Sequence, residues 1–567
     1  MKPARFNTIH ALVVFVLLAC LDLPAQTCDS LEDPFIWLEE IESERSLEWV
    51  RKHDEATRAA FMQDADFEMI QENALKLLGS KDRIPFGEIH NGYVYNFWQD
   101  DEHVRGILRR ATLEEYKKQN PAWEILLDID QLNEAEGKSW VYKGSECLEP
   151  AHTRCLVSLS LGGSDAVYVR EFDYNEKKFI EDGFSLPEAK SSVSWYDENT
   201  LVVGTDFGEG SLTSSGYPRI TKLWKRGTAL SEAETIMEGE VSDVGLWGSV
   251  EKGLEEDMFY LSRYTSFWTK QKWIVEGNTE PRKLPFPADA DLKSYFKGRF
   301  VVYLHSDWLG FKEGTLLALK KEDLGAADIE SKIQVIFTPD EKNTLREVYL
   351  MKDFLLLSVL ENVVGKILYY ELDTSGGADE WVSGEIKLPG AGTVSVTSSS
   401  AFDNNILLSH HGFISPSKLF YLADAKQIPQ EIKALPEMFD ASDLVVKQHD
   451  VISADGTVIP YFLVARKDLK LDGSNPTLLY GYGGFRSGQT PFYSTSIGKH
   501  WLERGGVFAL ANIRGGDEFG PAWHKAALLE NRQRCYDDFI AVAEGLIERN
   551  ITSPRHLGIM GGSNGGL

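Results

Sequence analysis

Residues 556–567 read HLGIMGGSNGGL. His556 to Met560 form a short apolar run of the kind that ends a buried strand, and Gly561-Gly562-Ser563-Asn564-Gly565 follows at once as G-x-S-x-G. After a strand, this pattern reads as a nucleophile elbow, a strained strand-to-helix turn that lifts a serine hydroxyl clear of the sheet. Small residues must flank that serine, because side chains there would strike the neighbouring strand and helix; Gly561, Gly562, Gly565 and Gly566 meet the demand. An ordinary Gly-Ser turn has the same letters, so the reading depends on what precedes it.

What precedes it alternates strands with helices. The segment at 443–469, DLVVKQHDVISADGTVIPYFLVARKDL, reads as two strands joined by an Asp-Gly turn. Thr477 to Tyr480 form a buried strand running into the glycine loop GYGGF (481–485), and Val507 to Asn512 form another running into RGGDEFG. Phe539, Val542, Leu546 and Ile547 stand at helical spacing in 535–550. Residues 441–567 are therefore expected to form a mostly parallel sheet covered on both faces, the α/β class. In that setting the backbone N–H of Asn564 is the expected first oxyanion donor, and GYGGF is a loop placed to supply a second. GYGGF lacks the G-x-G-x-x-G register and no phosphate-binding lysine follows, so a nucleotide cradle is not indicated.

From about residue 83 to 440 the period is two. Apolar strand pairs split by Gly, Asp and Ser turns begin near Tyr93, Cys155, Leu201, Met258, Phe300, Phe354 and Ile406. Seven units spaced by about 52 residues in an all-β stretch predict a seven-bladed propeller. A pair of β-sandwiches is the competing arrangement, and it would not need seven similar hairpins.

Residues 27–82 carry a helical pattern in which Trp37, Trp49 and Phe61 are the large apolar residues. Ahead of it, Lys2 and Arg5 precede the apolar run Ala11 to Ala19, which has the proportions of a signal peptide and is too short to span a membrane. Two processing sites compete: LPAQ, giving a signal peptide over 1–26, and LLAC, a lipobox-like stretch that would leave Cys20 as a lipidated N-terminus. Export to the periplasm or beyond is expected, with no transmembrane segment in the mature chain. Cys147 and Cys155 are close enough to pair in an oxidising compartment, and two unpaired buried thiols are the alternative. The net charge of −28 over 567 residues repels phosphate backbones and argues against nucleic-acid binding. No cysteine spacing suits zinc, and the adjacent His410 and His411 lack a third ligand, so neither metal nor cofactor is expected.

Five stretches resemble the prolyl oligopeptidase family of serine peptidases: DPFIWLEEIESERSLEWV (33–50), LLYGYGGF (478–485), GGVFALANIRGGDEFGPAWHKAA (505–527), CYDDFIAVAEGLI (535–547) and TSPRHLGIMGGSNGGL (552–567). Asn after the serine is closer to the prolyl branch than to the dipeptidyl-peptidase or oligopeptidase B branches. The resemblance implies a propeller capping an α/β-hydrolase domain, with the N-terminal segment packed on that domain. It implies an endopeptidase of short peptides that cleaves after proline, excludes folded proteins by its cap and acts as a monomer when full length. Ser563 is then the nucleophile, Asn564 gives a backbone N–H and Tyr482 a hydroxyl to the oxyanion hole, and Phe485 lines the pocket for the residue before the scissile bond.

The family's triad order is Ser, Asp, His, and here four residues follow the serine. The sequence is thus expected to be C-terminally truncated, lacking the Asp and His, and inactive as it stands, since a serine hydroxyl without a base is a poor nucleophile. His500, His524 and His556 are read as structural. A non-catalytic propeller that binds partners, or an esterase on the same hydrolase fold, are the alternatives.

Overall fold

The structure is a computed structural model and describes residues 33–567 apart from Asn278 and Ala378. The signal-peptide and lipobox readings, with Cys20 and Cys28, lie outside the described residues. The seven apolar rhythms resolve into seven consecutive antiparallel blades between Glu88 and Ala434. The second blade has a fifth strand, Ser185–Ala189. Every unit start read from the sequence falls within one residue of a blade's second strand: Tyr93–Trp98, Arg154–Leu161, Thr200–Gly204, Met258–Tyr264, Arg299–Tyr303, Phe354–Glu361 and Ile406–His411.

These second strands are apolar on both faces because each serves two neighbours. In Arg299–Tyr303, Val301 and Tyr303 pack against Leu355 and Leu357 of the next blade. Phe300 and Val302 point the other way, to Met258 and Tyr260 of the preceding one. The same division recurs around the ring, since side chains alternate along a strand. First strands of several adjacent blades touch, Trp140–Cys147 with Ser192–Asp197, Ser192–Asp197 with Gly245–Glu251, Asp291–Phe296 with Asn343–Leu350, and Glu88–His90 with Thr393–Ser398. No strand is shared between the seventh blade and the first. There the ring closes by packing of Ile89 and Val94 on Leu407, Leu419 and Tyr421, and by the Ile89 N–H donating to Ser398 Oγ at 2.8 Å.

Beyond the propeller, five strands form one mixed sheet in the order Leu444–Ile452, Val458–Arg466, Val507–Ala511, Thr477–Tyr480 and Leu557–Met560. The first two ladders are antiparallel and the last two parallel. The sheet is thus less parallel than its apolar strands suggested, because the Asp455-Gly456 turn folds its first two strands into a hairpin. One face buries Leu479, Ala509 and Ala511 under Val542 and Leu546 of the helix Gln533–Glu548. The other buries Phe462, Phe508 and Leu510 against Phe413, Phe439 and Leu502.

Under the first face, Arg514 is pinned by Asp538 (2.6 Å) and Asp455 (2.6 Å), with its side chain 4% exposed and that of Asp538 fully buried. Those carboxylates hold the Arg514 guanidinium above its ordinary pKa. Such a buried pair fixes geometry more than it adds net stability.

The N-terminal unit, which ends at Leu75, holds the helix Glu44–Phe61 and most of the helix Phe67–Leu78. The first is capped by Ser43, whose Oγ accepts the Ser46 N–H at 3.2 Å. Ile41, Phe61 and Leu75 of this unit are exposed. Cys147 and Cys155 are disulfide-bonded, which decides between the two readings of their spacing. Among the described residues no helix is long and apolar enough to cross a membrane.

Candidate active site

The strand Leu557–Met560 lies parallel to Thr477–Tyr480, with Leu479 between Ile559 on one side and Ala509 on the other. This register delivers Gly561 to Gly565 beside the loop that leaves Tyr480. Ser563 adopts φ +51°, the left-handed region that costs a non-glycine residue about 1–3 kcal/mol and persists where surrounding structure enforces it. A single 3-10 turn, Ser563–Gly566, follows.

Two of the four flanking glycines are sterically required. A Cβ on Gly561 would collide with the Gly565 carbonyl, and one on Gly565 would sit 2.6 Å from the Gly481 carbonyl oxygen. Gly562 faces open space and Gly566 has ordinary clearance, so the demand read from the sequence holds for Gly561 and Gly565 only.

The loop 481–485 is locked onto the elbow by side chains. Asn564 Nδ2 donates to the Tyr482 carbonyl at 2.7 Å. Arg532, just ahead of the helix Gln533–Glu548, donates through Nη2 to Asn564 Oδ1 at 3.1 Å and through Nη1 to the Gly483 carbonyl at 2.6 Å. The Cys535 thiol also faces that carbonyl at 3.3 Å, and burial pushes its pKa up to about 11, so it stays protonated. A Cβ on Gly483 would run into Cys535 Sγ. The turn that carries Ser563 and Asn564 is thereby joined to the backbone of the loop that carries Tyr482.

Phe485 projects differently. It is 59% exposed, has φ +53°, and faces the propeller. Trp268, from the hairpin between strands Met258–Tyr264 and Lys270–Val275, lies near-parallel to it with centroids 6.4 Å apart, and Phe267 meets it edge-on at 6.5 Å. Arg486 lies over the same indole, 4.7 Å from its centre. Trp268, Arg486 and Arg532 carry no motif, and the sequence reading missed them.

The loop after Val507–Ala511 seats the propeller. Asp517 pairs with Arg346, and Lys525 reaches Glu313 and the His305 carbonyl, each at 2.6 Å. Between them Glu518 is 1% exposed; desolvation raises its pKa to about 8, so it is held as the neutral acid near pH 7. Its Oε1 accepts the Gln489 N–H at 2.8 Å, while Oε2 makes no hydrogen bond among the described residues.

Among the described residues none of His500, His524 and His556 is engaged with Ser563. His524 is 2% exposed, its Nδ1 lies 2.7 Å from the Gly515 carbonyl, and burial lowers its pKa. The short contact makes Nδ1 the protonated nitrogen, in preference to the 3.3 Å approach of the Arg486 N–H. His556 Nδ1 meets Ser553 Oγ at 2.9 Å, and His500 belongs to the turn Gly498–Leu502.

A seven-bladed propeller followed by an α/β-hydrolase sheet with a strained serine elbow defines a class of propeller-capped serine hydrolases. Residues 23–433 match the model of the prolyl oligopeptidase N-terminal β-propeller domain, and residues 493–567 match that of the prolyl oligopeptidase family. The chain belongs to the prolyl oligopeptidase family of serine peptidases. It is 41% identical to an uncharacterized peptidase of Sinorhizobium fredii, over 96% of this chain and 76% of that protein. It is 26% identical to a prolyl endopeptidase of Elizabethkingia miricola, over 95% and 74%. Among solved structures it resembles a post-proline cleaving enzyme from Rickettsia typhi, with TM-score 0.85, 33% identity, and coverage of 94% of this chain and 79% of that one.

Proposed function

We propose that Ser563 is the acyl-forming nucleophile of a peptidase that cleaves short peptides after proline. The observation that carries this is the left-handed Ser563, held against the 481–485 loop by Asn564 and Arg532. A propeller serving only as a binding module would have no use for that strain. In the reaction Ser563 Oγ attacks the scissile carbonyl carbon, and its proton passes through a base to the departing amine as the C–N bond breaks. Water then hydrolyses the ester. The Asn564 N–H and the Tyr482 hydroxyl receive the oxyanion. Phe485, with Trp268 beside it, receives the side chain before the scissile bond, and the propeller restricts entry to short peptides.

Because His524 and His556 are held by other partners, the base is proposed to lie outside the described residues. Residues 1–567 alone are therefore expected to show no turnover of a proline-containing reporter peptide. The gene's complete open reading frame, whatever its length, is expected to encode an Asp and then a His in the order the family resemblance implies. Its product should cleave the reporter and lose that activity in Ser563→Ala. Cleavage by residues 1–567, abolished by Ser563→Ala, would overturn the view of the missing base. No cleavage by the complete product would overturn the peptidase reading.

The same reading places the protein outside the cytoplasm, a placement that the Cys147–Cys155 disulfide supports. It acts there as a monomer, released or held by a lipid on Cys20.

A further inference from the structure

The disulfide closes a loop, CLEPAHTRC (147–155), between the first two strands of the second blade, Trp140–Cys147 and Arg154–Leu161. Inside it stand Glu149 and His152. His152 is 9% exposed and has φ +53°, with its backbone N–H tied to the Leu148 carbonyl at 2.9 Å. Facing it is His90, the last residue of the first blade's first strand Glu88–His90. The two segments are joined by Asn91 Nδ2, which donates to the Ala151 carbonyl at 3.3 Å.

The imidazoles of His90 and His152 lie parallel, 3.9 Å apart with 11° between planes. Both present Nδ1 to the same carboxylate oxygen: Glu149 Oε1 lies 2.8 Å from His152 Nδ1 and 2.8 Å from His90 Nδ1. The second separation is an ion-pair distance without hydrogen-bond alignment, so among the described residues buried His90 Nδ1 makes no hydrogen bond. On the far side of that ring, Nε2 lies 3.4 Å from Glu88 Oε2.

A buried ring nitrogen converging on a shared oxygen, yet not aimed to donate to it, suits a ligand whose partner sits between the groups. The three donor atoms all lie within 4.8 Å of one another. Around a tetrahedral zinc ion, ligand atoms at ordinary bond lengths stand about 3.3 Å apart, so the carboxylate oxygen would draw back by about 0.5 Å and one imidazole would turn out of the stack to aim its in-plane lone pair at the ion. Two imidazoles and one carboxylate form a donor set suited to zinc-like divalent ions rather than calcium or magnesium. Glu88 at the outer nitrogen of His90 supplies the carboxylate that commonly orients a metal-binding histidine.

We propose that His90, Glu149 and His152 bind one divalent ion of the zinc type. The ion clasps the disulfide loop of the second blade to the first strand of the first, at a site separate from Ser563. Water or a solvent-borne anion would complete its coordination.

The test uses tag-free, chelator-stripped protein titrated with Zn2+ by calorimetry and with Co2+ by visible absorption. One equivalent is expected, with cobalt bands of histidine–carboxylate ligation and no thiolate charge-transfer band. His90→Ala and His152→Ala should each abolish that equivalent. Glu88→Gln should keep the stoichiometry while weakening affinity about 10- to 100-fold. X-ray absorption of the zinc-loaded wild-type protein needs no variant and should show a nitrogen–oxygen shell at about 2.0 Å. A sulfur shell at about 2.3 Å would overturn the assignment. So would an unchanged equivalent in the His90→Ala/His152→Ala variant, or wild-type binding weaker than about 100 μM, which would leave the cluster as a proton-linked ion pair.

Discussion

Asn564 reaches back across the elbow to donate its side-chain amide to the Tyr482 carbonyl at 2.7 Å, so one residue both follows Ser563, the proposed nucleophile, and holds the loop of Tyr482, the proposed oxyanion donor. The clamp separates two roles that kinetics can distinguish. In the complete catalytic protein, Tyr482→Phe removes a hydroxyl while leaving the clamped carbonyl in place. It is expected to lower kcat by about 100- to 1,000-fold with KM little changed. A fall in affinity with unchanged kcat would show that Tyr482 contacts substrate rather than the developing oxyanion.

Trp268 belongs to the propeller, yet it lies against Phe485 of the hydrolase domain. Because it flanks the proposed specificity pocket rather than the reacting atoms, Trp268→Ala should act on binding. The expected change is a rise in KM of about 2- to 10-fold for a proline reporter, the worth of one aromatic contact, with kcat nearly constant. Steady-state kinetics on paired reporters with and without proline would check it, since the loss should be larger for the proline substrate.

Glu518 gives a pH prediction with a definite sign. Its folded pKa is raised from 4.5 to about 8 by desolvation, so the native state holds a proton that the unfolded chain releases. Stability from this group is fully present below about pH 4.5 and is lost as pH rises towards about 8. Relative to Glu518→Gln, the wild-type protein should lose up to about 1.4 kcal/mol per pH unit across that window. Denaturant unfolding of both proteins from pH 5 to 8 measures the difference. Parallel curves would mean that Glu518 is ionised in the fold.

How much of this was legible follows from which residues face two neighbours. The second strand of each blade is buried on both faces, so it reads as an apolar run, and all seven were visible. The fourth strands, such as Arg282–Lys283 and Gln430–Ala434, lie mostly exposed and leave no periodic trace. At the elbow the serine and its strand were readable because glycine is sterically compelled at Gly561 and Gly565. Arg532 and Trp268 were not, because their roles depend on partners 32 and 217 residues away. The same limit hid the His90–Glu149–His152 cluster. Glu149 and His152 share a short loop, but His90 joins them only once the first two blades have stacked.

The elbow strand carries the last prediction. Leu557–Met560 lies at the sheet edge, with Ile559 70% and Met560 40% exposed. Natural edges are usually short, charged or covered, whereas in residues 1–567 taken alone this strand presents apolar side chains with no further strand beside it among the described residues. Residues 1–567 should therefore self-associate through this strand at concentrations where a charged edge would not. Ile559→Lys places an ammonium on the exposed strand, beside Leu479 in the ladder and ahead of the Ser563 turn. It is expected to raise the concentration at which light scattering detects association by about tenfold or more, equivalent to about 1.4 kcal/mol. Ser563→Ala is the control and should leave association unchanged, because its side chain is not part of the edge. Equal association of wild-type and Ile559→Lys proteins would place the contact elsewhere. The exposed Ile41, Phe61 and Leu75 of the N-terminal helical unit would then be the next surface to charge.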